Sequence, residues 1–83
     1  MEIDKLRKKI NKIDSKIIRL IDERVKVVKK IGKIKKKAGI RVFQPAREKI
    51  VLEKVSKQSK NKRIATKIFK KIMSESRKIQ ETL

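Results

Sequence analysis

The sequence predicts an all-α protein of three helices, in the order long, short and medium. Two observations predict this class: the 83 residues include only two glycines and one proline, and apolar residues recur at alternating spacings of three and four. A third observation concerns stability, since 45% of the residues are charged and only 37% are apolar, which leaves little material for a core. We therefore expect one small helical domain over residues 1–83 that does not fold as a lone subunit.

The first predicted helix spans about residues 3–38 and ends at Gly39. At ~1.5 Å per residue it is roughly 54 Å long, whereas a compact chain of this size has a radius of gyration of only ~12 Å. The helix must therefore overhang its own domain, and a second copy of the chain is the simplest cover for its apolar stripe. The stripe consists of Ile3, Leu6, Ile10, Ile13, Ile17, Leu20, Arg24, Val27, Ile31, Ile34 and Ala38.

Two shorter helices are predicted after a linker over residues 40–44. Proline suits the first position of a helix, so Pro45 predicts a second helix over about 45–57. The polar cluster 56–62 is predicted to be a loop, and a third helix is predicted over about 62–82. The apolar face of the second helix consists of Ile50, Val51, Leu52 and Val55. The stripe of the third consists of Ala65, Phe69, Ile72, Ser76, Ile79 and Leu83, flanked by Ile64, Ile68 and Met73.

Composition narrows the possible functions. Lys and Arg number 28 against 9 Asp and Glu, a formal charge of +19, so an anionic partner is expected. Cysteine and histidine are absent, which removes thiol nucleophiles, imidazole acid–base catalysis and nearly every transition-metal site. We expect no metal and no cofactor. Apolar stretches are too short for a membrane span or a signal-peptide core, so the expected location is the cytoplasm.

Two cations of the first helix indicate a binding site. Arg24 occupies a core-type position of the stripe, where a guanidinium without a partner is strongly destabilising. Lys35 lies eleven residues further on, and eleven residues at ~100° each return to within ~20° of the same direction. Both side chains therefore face one groove, where they suit a small dicarboxylate. An arginine that extends to solvent or pairs with a nearby acid explains Arg24 equally well at this point, and Lys35 alone resembles any surface lysine.

Further polar residues interrupt the apolar faces of the shorter helices, and they are Arg47, Glu48, Ser76 and Gln80. Each has a plain structural explanation, such as an acidic first helical turn or a small residue near a helix end. Taken together with the two cations, they are typical of the lining of a polar pocket. Such a pocket has no obvious nucleophile, metal or redox group. It can bind an anion and stabilise charge that is redistributed within the substrate itself.

The motifs, taken in order, resemble those of the all-helical chorismate mutases, which convert chorismate to prephenate by an intramolecular Claisen rearrangement. The resemblance covers nearly the whole chain and implies a homodimer of intertwined subunits with two sites. The matching segments are Leu6-Arg7-Lys8-Lys9-Ile10 with Ile13-Asp14, Asp22-Glu23-Arg24, Ile31-Gly32-Lys33-Ile34-Lys35, Pro45-Ala46-Arg47-Glu48 and Ser76 to Gln80.

The resemblance also implies roles for the residues nearest the reacting bonds. Arg24 would bind the carboxylate of the enolpyruvyl side chain. Lys35 would contact a carboxylate and the ether oxygen of the breaking bond, and Gln80 would hydrogen-bond the same oxygen. Arg7 of the partner subunit would complete the site, in agreement with its distance of ~42 Å from Lys35 along one helix.

The remaining roles concern the ring of the substrate. Glu48 would accept a hydrogen bond from the ring hydroxyl, with Arg47 beside it, and Ser76 would hold the ring carboxylate. Gln44 stands where many relatives have an aspartate, and glutamine is a poorer N-cap for the second helix. The implied mechanism is selection of the diaxial, chair-like conformer together with stabilisation of the negative charge that builds on the ether oxygen.

Other functions fit part of the pattern. An isochorismate-pyruvate lyase has the same fold and similar cations, although the placement of Glu48 favours the mutase. A basic helical nucleic-acid-binding module fits the charge of +19, but the lysines surround most of the first helix and no aromatic residues suit base stacking. We therefore expect nucleic acid to bind only without specificity. An inactive structural dimer is disfavoured by the complete set of polar residues.

Overall fold

The computed structural model describes all 83 residues as three helices without a strand. Helix α1 spans Glu2–Ala38, α2 spans Pro45–Gln58 and α3 spans Lys62–Glu81. The prediction of an all-α chain with a long, a short and a medium helix is confirmed. No helix is long and apolar enough to cross a membrane.

The ends of α1 follow from local sequence. Glu2 and Asp4 lie in the first turn, where carboxylates favour the positive end of the helix dipole. Gly39 ends the helix in the left-handed conformation, with φ of 67°, and its N–H bonds to the carbonyl of Lys35. The helix has 37 residues and the molecule is 56 Å long, so α1 runs the full length of the protein.

The predicted loop over residues 56–62 is wrong in its first half, because α2 continues to Gln58. No glycine or proline interrupts this segment, and lysine and glutamine are good helix formers. The chain leaves the helix at Ser59, whose backbone is extended (φ −91°, ψ 137°). The Ser59 hydroxyl accepts a hydrogen bond of 2.9 Å from the N–H of Asn61 and so shapes the short connection to α3.

Helix α3 lies against both other helices, whereas no Cα atom of α1 comes within 8 Å of one in α2. Only Val28, Gly32, Val55 and Met73 are buried, so the core within one chain is very small. Ile50, which was predicted to belong to the apolar face of α2, is 56% exposed. It precedes Val51 by one residue, or ~100° of helix, and therefore turns away from the side of α2 that α3 covers.

The first half of α1 has no intramolecular cover, since every residue from 1 to 20 is exposed. In the second half, α3 covers a face that contains Val28 and Gly32, with Arg24, Val25 and Lys35 half-buried at its borders. The large apolar residues of the stripe in this half remain exposed, and they are Val27, Ile31 and Ile34. The small core and the cavity described below both lie at this end of the molecule.

Candidate active site

A cavity of about 270 Å³ lies where the second half of α1, the 39–44 linker, α2 and α3 meet. It is lined by seven of the eight predicted site residues, namely Arg24, Lys35, Gln44, Arg47, Glu48, Ser76 and Gln80. Six of these side chains lie on the three helices and Gln44 lies at the N-cap of α2, and the fold brings all seven together. With Arg77, the lining contains four cations and one carboxylate, which gives it a net charge of +3.

Lys35 and Gln80 are bonded to each other and to backbone. The Lys35 ammonium donates to Gln80 Oε1 at 3.1 Å and to the carbonyl of Val42 at 2.9 Å. Gln80 Nε2 donates to the carbonyl of Val28 at 3.0 Å. An ammonium has three N–H donors and an amide nitrogen has two. Each side chain is therefore held in place and retains one N–H for a ligand.

Gly32 allows α3 to approach α1 closely enough for these bonds. A Cβ on Gly32 would lie 2.9 Å from Gln80 Cγ and 2.5 Å from Leu83 Cδ1, both closer than van der Waals contact allows. A side chain at position 32 would force Gln80 and Leu83 to move. The position of Gln80 in the cavity thus depends on the glycine opposite it.

Arg24 is half-buried and is held by α3. Its guanidinium donates to Ser76 Oγ at 2.6 Å, and the Ser76 hydroxyl donates in turn to the carbonyl of Ile72 at 2.7 Å. A guanidinium has five N–H donors, so most of its donors remain free. Ser76 therefore orients Arg24 in the cavity wall. The single hydroxyl proton of Ser76 is already donated to the carbonyl of Ile72.

Neither Arg24 nor Lys35 has an acidic partner within 4.0 Å, since the four ion pairs of the chain involve other residues. The one carboxylate of the cavity, Glu48, is paired with Arg77. Two half-buried cations without a counter-ion are unfavourable unless an anion joins them. This charge imbalance is the main indication that the cavity accepts an anionic ligand.

Arg77 is a cavity residue that the sequence analysis did not single out. Its guanidinium pairs with Glu48 Oε2 and lies 4.8 Å from the centroid of the Phe43 ring. The only signal in the sequence was its place directly after Ser76 on α3. That signal is weak, because the spacing of residues within α3 does not tell how close α3 comes to the first turn of α2.

Gln44, Arg47 and Arg7 take less enclosed positions. Gln44 is the N-cap residue of α2 but makes no side-chain capping bond, as expected of a poor N-cap. Arg47 is exposed at the edge of the cavity. Arg7 is exposed on the overhanging half of α1 and is not part of the cavity of its own chain.

A second, apolar cavity of about 330 Å³ lies on the other side of Arg24 and Ser76, between α1 and α3. Its wall includes Glu75, whose pKa is lowered by a hydrogen bond from Lys71 and by the charges of Lys78 and Lys71. These ion pairs are exposed and stabilise the fold little. The apolar side chains of this cavity are Ile21, Val25, Ile68, Ile72 and Ile79.

The groups that line the polar cavity around Arg24 and Lys35 determine which chemistry it can support. No group of three or more acidic side chains converges on a point where a metal ion could bind. The cavity instead offers positive charge, two N–H donors held by fixed side chains, and one carboxylate oxygen. Such a set binds a dianion and stabilises negative charge that develops on one of its oxygens.

Comparison with known proteins agrees with this chemistry. The family model for chorismate mutase type II matches residues 6–81. A chorismate mutase of Methanocaldococcus jannaschii is 33% identical over 84 residues, which cover 96% of this chain and 85% of that protein. A bifunctional chorismate mutase/prephenate dehydratase of Aquifex aeolicus is 44% identical over 59 residues, 71% of this chain. The match spans only 16% of the length of the Aquifex protein.

A solved structure supports the fold over the same extent. A conserved hypothetical protein of Pyrococcus furiosus superposes with a TM-score of 0.84 and is 34% identical, with 96% of each chain covered. The family model and the Methanocaldococcus relative both extend over nearly the whole chain. This chain therefore belongs to the type II chorismate mutase family.

Proposed function

We propose that this chain is a chorismate mutase that converts chorismate to prephenate in the cavity between α1, α2 and α3. The observation that carries the proposal is the pair of half-buried cations, Arg24 and Lys35, which face one cavity without an acidic partner. Chorismate is a dianion with two carboxylates, so it supplies the missing negative charge. Family membership selects this substrate among small dicarboxylates.

The electrostatic part of the mechanism assigns the free donors of Lys35 and Gln80 to the ether oxygen. The C–O bond breaks ahead of C–C bond formation, so negative charge builds on that oxygen in the transition state. An ammonium and an amide that are already held by other bonds need no reorganisation to stabilise it. Their contribution is larger in the transition state than in the ground state, as acceleration requires.

The positioning part of the mechanism assigns the remaining groups to the two carboxylates and the ring. Arg24 binds the side-chain carboxylate, and Glu48 accepts from the ring hydroxyl and so favours the diaxial conformer that brings the reacting carbons together. Ser76 can hold the ring carboxylate only if its hydroxyl leaves the carbonyl of Ile72. In its present orientation it supports Arg24, and Arg47 at the rim of the cavity is a further cation for the ring carboxylate.

We further propose that the active form is an intertwined homodimer. Support comes from the uncovered half of α1, which exposes a continuous apolar row that a single chain leaves in water. A second α1 has the same row and the length to cover it. The exposed row consists of Ile3, Leu6, Ile10, Ile13 and Ile17.

The dimer also gives Arg7 a role. Arg7 lies about 42 Å from Lys35 along α1, so Arg7 and Lys35 of one chain cannot contact the same small ligand. Arg7 of the partner subunit would instead close the open side of the cavity and add a further cation for the substrate. The single-domain extent of residues 1–83 and the cytoplasmic location stay predictions.

The test is conversion of chorismate by the purified chain, followed as loss of its ultraviolet absorbance with identification of the product. We expect prephenate, or phenylpyruvate after acid treatment, together with a dimeric mass in solution. Release of pyruvate from isochorismate, without action on chorismate, would select the lyase. Retention on nucleic acid at moderate salt, with no action on either compound, would select the basic nucleic-acid-binding module.

A further inference from the structure

The two carboxylate oxygens of Glu48 differ in their bonding within the chain. Oε2 is bonded to Arg77, whereas Oε1 makes no hydrogen bond within the chain. The side chains of Glu48 and Arg77 are 23% and 30% exposed, so the pair is largely shielded from water. A charge-assisted bond in such surroundings fixes the carboxylate more firmly than an exposed ion pair does.

Arg77 is itself held from a second direction. Its guanidinium stands over the Phe43 ring, 4.8 Å from the centroid, at a distance typical of a cation–π contact. Phe43 belongs to the linker between α1 and α2, and the carbonyl of the preceding Val42 accepts a hydrogen bond from Lys35. The linker, the first turn of α2 and α3 are thus joined at the guanidinium of Arg77.

We propose that Arg77 is a positioning residue, which turns Glu48 so that Oε1 faces the cavity and receives the hydroxyl of the bound substrate. This inference rests on the proposed function and adds to it. Because Glu48 compensates the charge of Arg77 and its guanidinium stands over Phe43, the effect of Arg77 on the substrate is exerted through Glu48. Arginine suits this role because its planar fork can bond a carboxylate and stack on a ring at the same time.

The test compares Arg77→Met in two backgrounds, the unmutated chain and Glu48→Gln. Loss of the charge-assisted hydrogen bond that orients Glu48 should lower kcat about 10- to 100-fold. We expect this loss in the unmutated background and a change of less than about twofold in the Glu48→Gln background. Arg77→Lys should recover only part of kcat, because lysine keeps the charge but not the planar contact with Phe43.

A matched control removes the same charge from the next residue of α3. Lys78 is 64% exposed and pairs only with Glu75, outside the cavity. Lys78→Met should leave kcat and KM within about twofold of the unmutated values, since single exposed charges are screened. A general effect of net charge on an anionic substrate would instead raise KM in both variants and in both backgrounds.

The ion pair itself can be observed without turnover, from the side-chain ¹⁵N–¹H signals of Arg77. Restricted rotation of a paired guanidinium separates its Nη signals, and Glu48→Gln should merge them. Equal losses of kcat in the two backgrounds, or merged Nη signals in the unmutated chain, would overturn the role of Arg77 and leave the proposed function intact. Separate Nη signals in a chain that does not convert chorismate would overturn the proposed function, and the positioning role with it.

Discussion

At the scale of single residues, the cavity combines two kinds of cation. Lys35 is fixed by Gln80 and Val42, and Arg24 is fixed by Ser76, yet neither is neutralised by an acid. Arg77, by contrast, is neutralised by Glu48. The first two are therefore free to act on an anionic ligand, while the third acts on the protein.

The Lys35→Ala variant tests the electrostatic part of the mechanism. A single donor of this kind contributes ~3–4 kcal/mol to the transition state, so kcat should fall by a factor of hundreds or more. Lys33→Ala is the matched control, because Lys33 is exposed on the same helix and does not line the cavity. Steady-state kinetics on folded samples of equal helicity would measure both. Near-normal turnover in Lys35→Ala would refute the assignment.

The pH dependence of the Gln80→Glu variant tests whether residue 80 donates a hydrogen bond to the ether oxygen of the substrate. The amide of Gln80 does not titrate, so this group should introduce no loss of rate between pH 6 and 8. A glutamate donates to the ether oxygen only when protonated, and its ordinary pKa is ~4.3. The variant should therefore be slow at neutral pH and gain rate relative to the unmutated chain as the pH falls. A constant ratio of the two rates across this range would exclude a donor role for Gln80.

Residue patterns alone identified most of the side chains that line the cavity, but they did not predict the ion pair between Glu48 and Arg77. Arg24 and Ser76 interrupted apolar stripes, and a polar residue on such a stripe is visible in any single sequence. Lys35 was found only because it lies eleven residues after Arg24 and so faces the same direction. Arg77 broke no stripe, since it lies beside the α3 stripe and not on it. Its partner Glu48 is 29 residues away, and only the packing of α2 on α3 brings the two together.

At the scale of elements, the apolar pattern of α1 contributes to two surfaces. One is the face that α3 covers, and the other is the stripe that stays exposed. A seven-residue repeat turns by about 20° per heptad on a straight helix, so the stripe has moved by about 80° between Ile3 and Ile31. The face that α3 covers around Val28 continues the direction of the early stripe, while Ile31 and Ile34 stay exposed beyond it. The helix was predictable from the spacing, but the covered face was not, because the drift depends on how straight the helix is.

The Gly32→Ala variant tests the crossing of α1 and α3. In an isolated helix this change stabilises by ~1 kcal/mol, but here the new methyl meets Gln80 and Leu83. Overpacking of this kind destabilises by about 1–3 kcal/mol, and displacement of Gln80 should lower kcat about 10- to 100-fold. Thermal unfolding and kinetics would give the two effects separately.

A second substitution separates stability from activity at this crossing. The double variant Gly32→Ala/Leu83→Ala removes the contact with Leu83 but keeps the contact with Gln80. It should regain part of the stability while kcat stays low. Normal kcat in the single variant would show that Gln80 does not depend on Gly32 for its position.

At the scale of the whole molecule, only four residues are buried and α1 is as long as the protein, so many large apolar side chains of one chain are exposed. The radius of gyration of 15.9 Å exceeds the ~12 Å of a compact chain of this length. The overhang was predictable from the length of the stripe. The intertwined homodimer stays a prediction, because an exposed apolar row does not by itself specify what covers it.

The most direct measurement mixes two inactive variants, Arg7→Ala and Arg24→Ala, and assays the mixture for chorismate conversion. If each site takes Arg7 from one subunit and Arg24 from the other, half of the randomly formed dimers are mixed and each has one intact site. The mixture should then regain about one quarter of the unmutated activity. Lys35→Ala mixed with Arg24→Ala is the control and should regain none, because both residues come from the same subunit at each site. Mixed dimers of Arg7→Ala and Arg24→Ala that stay inactive would contradict a site shared between two subunits.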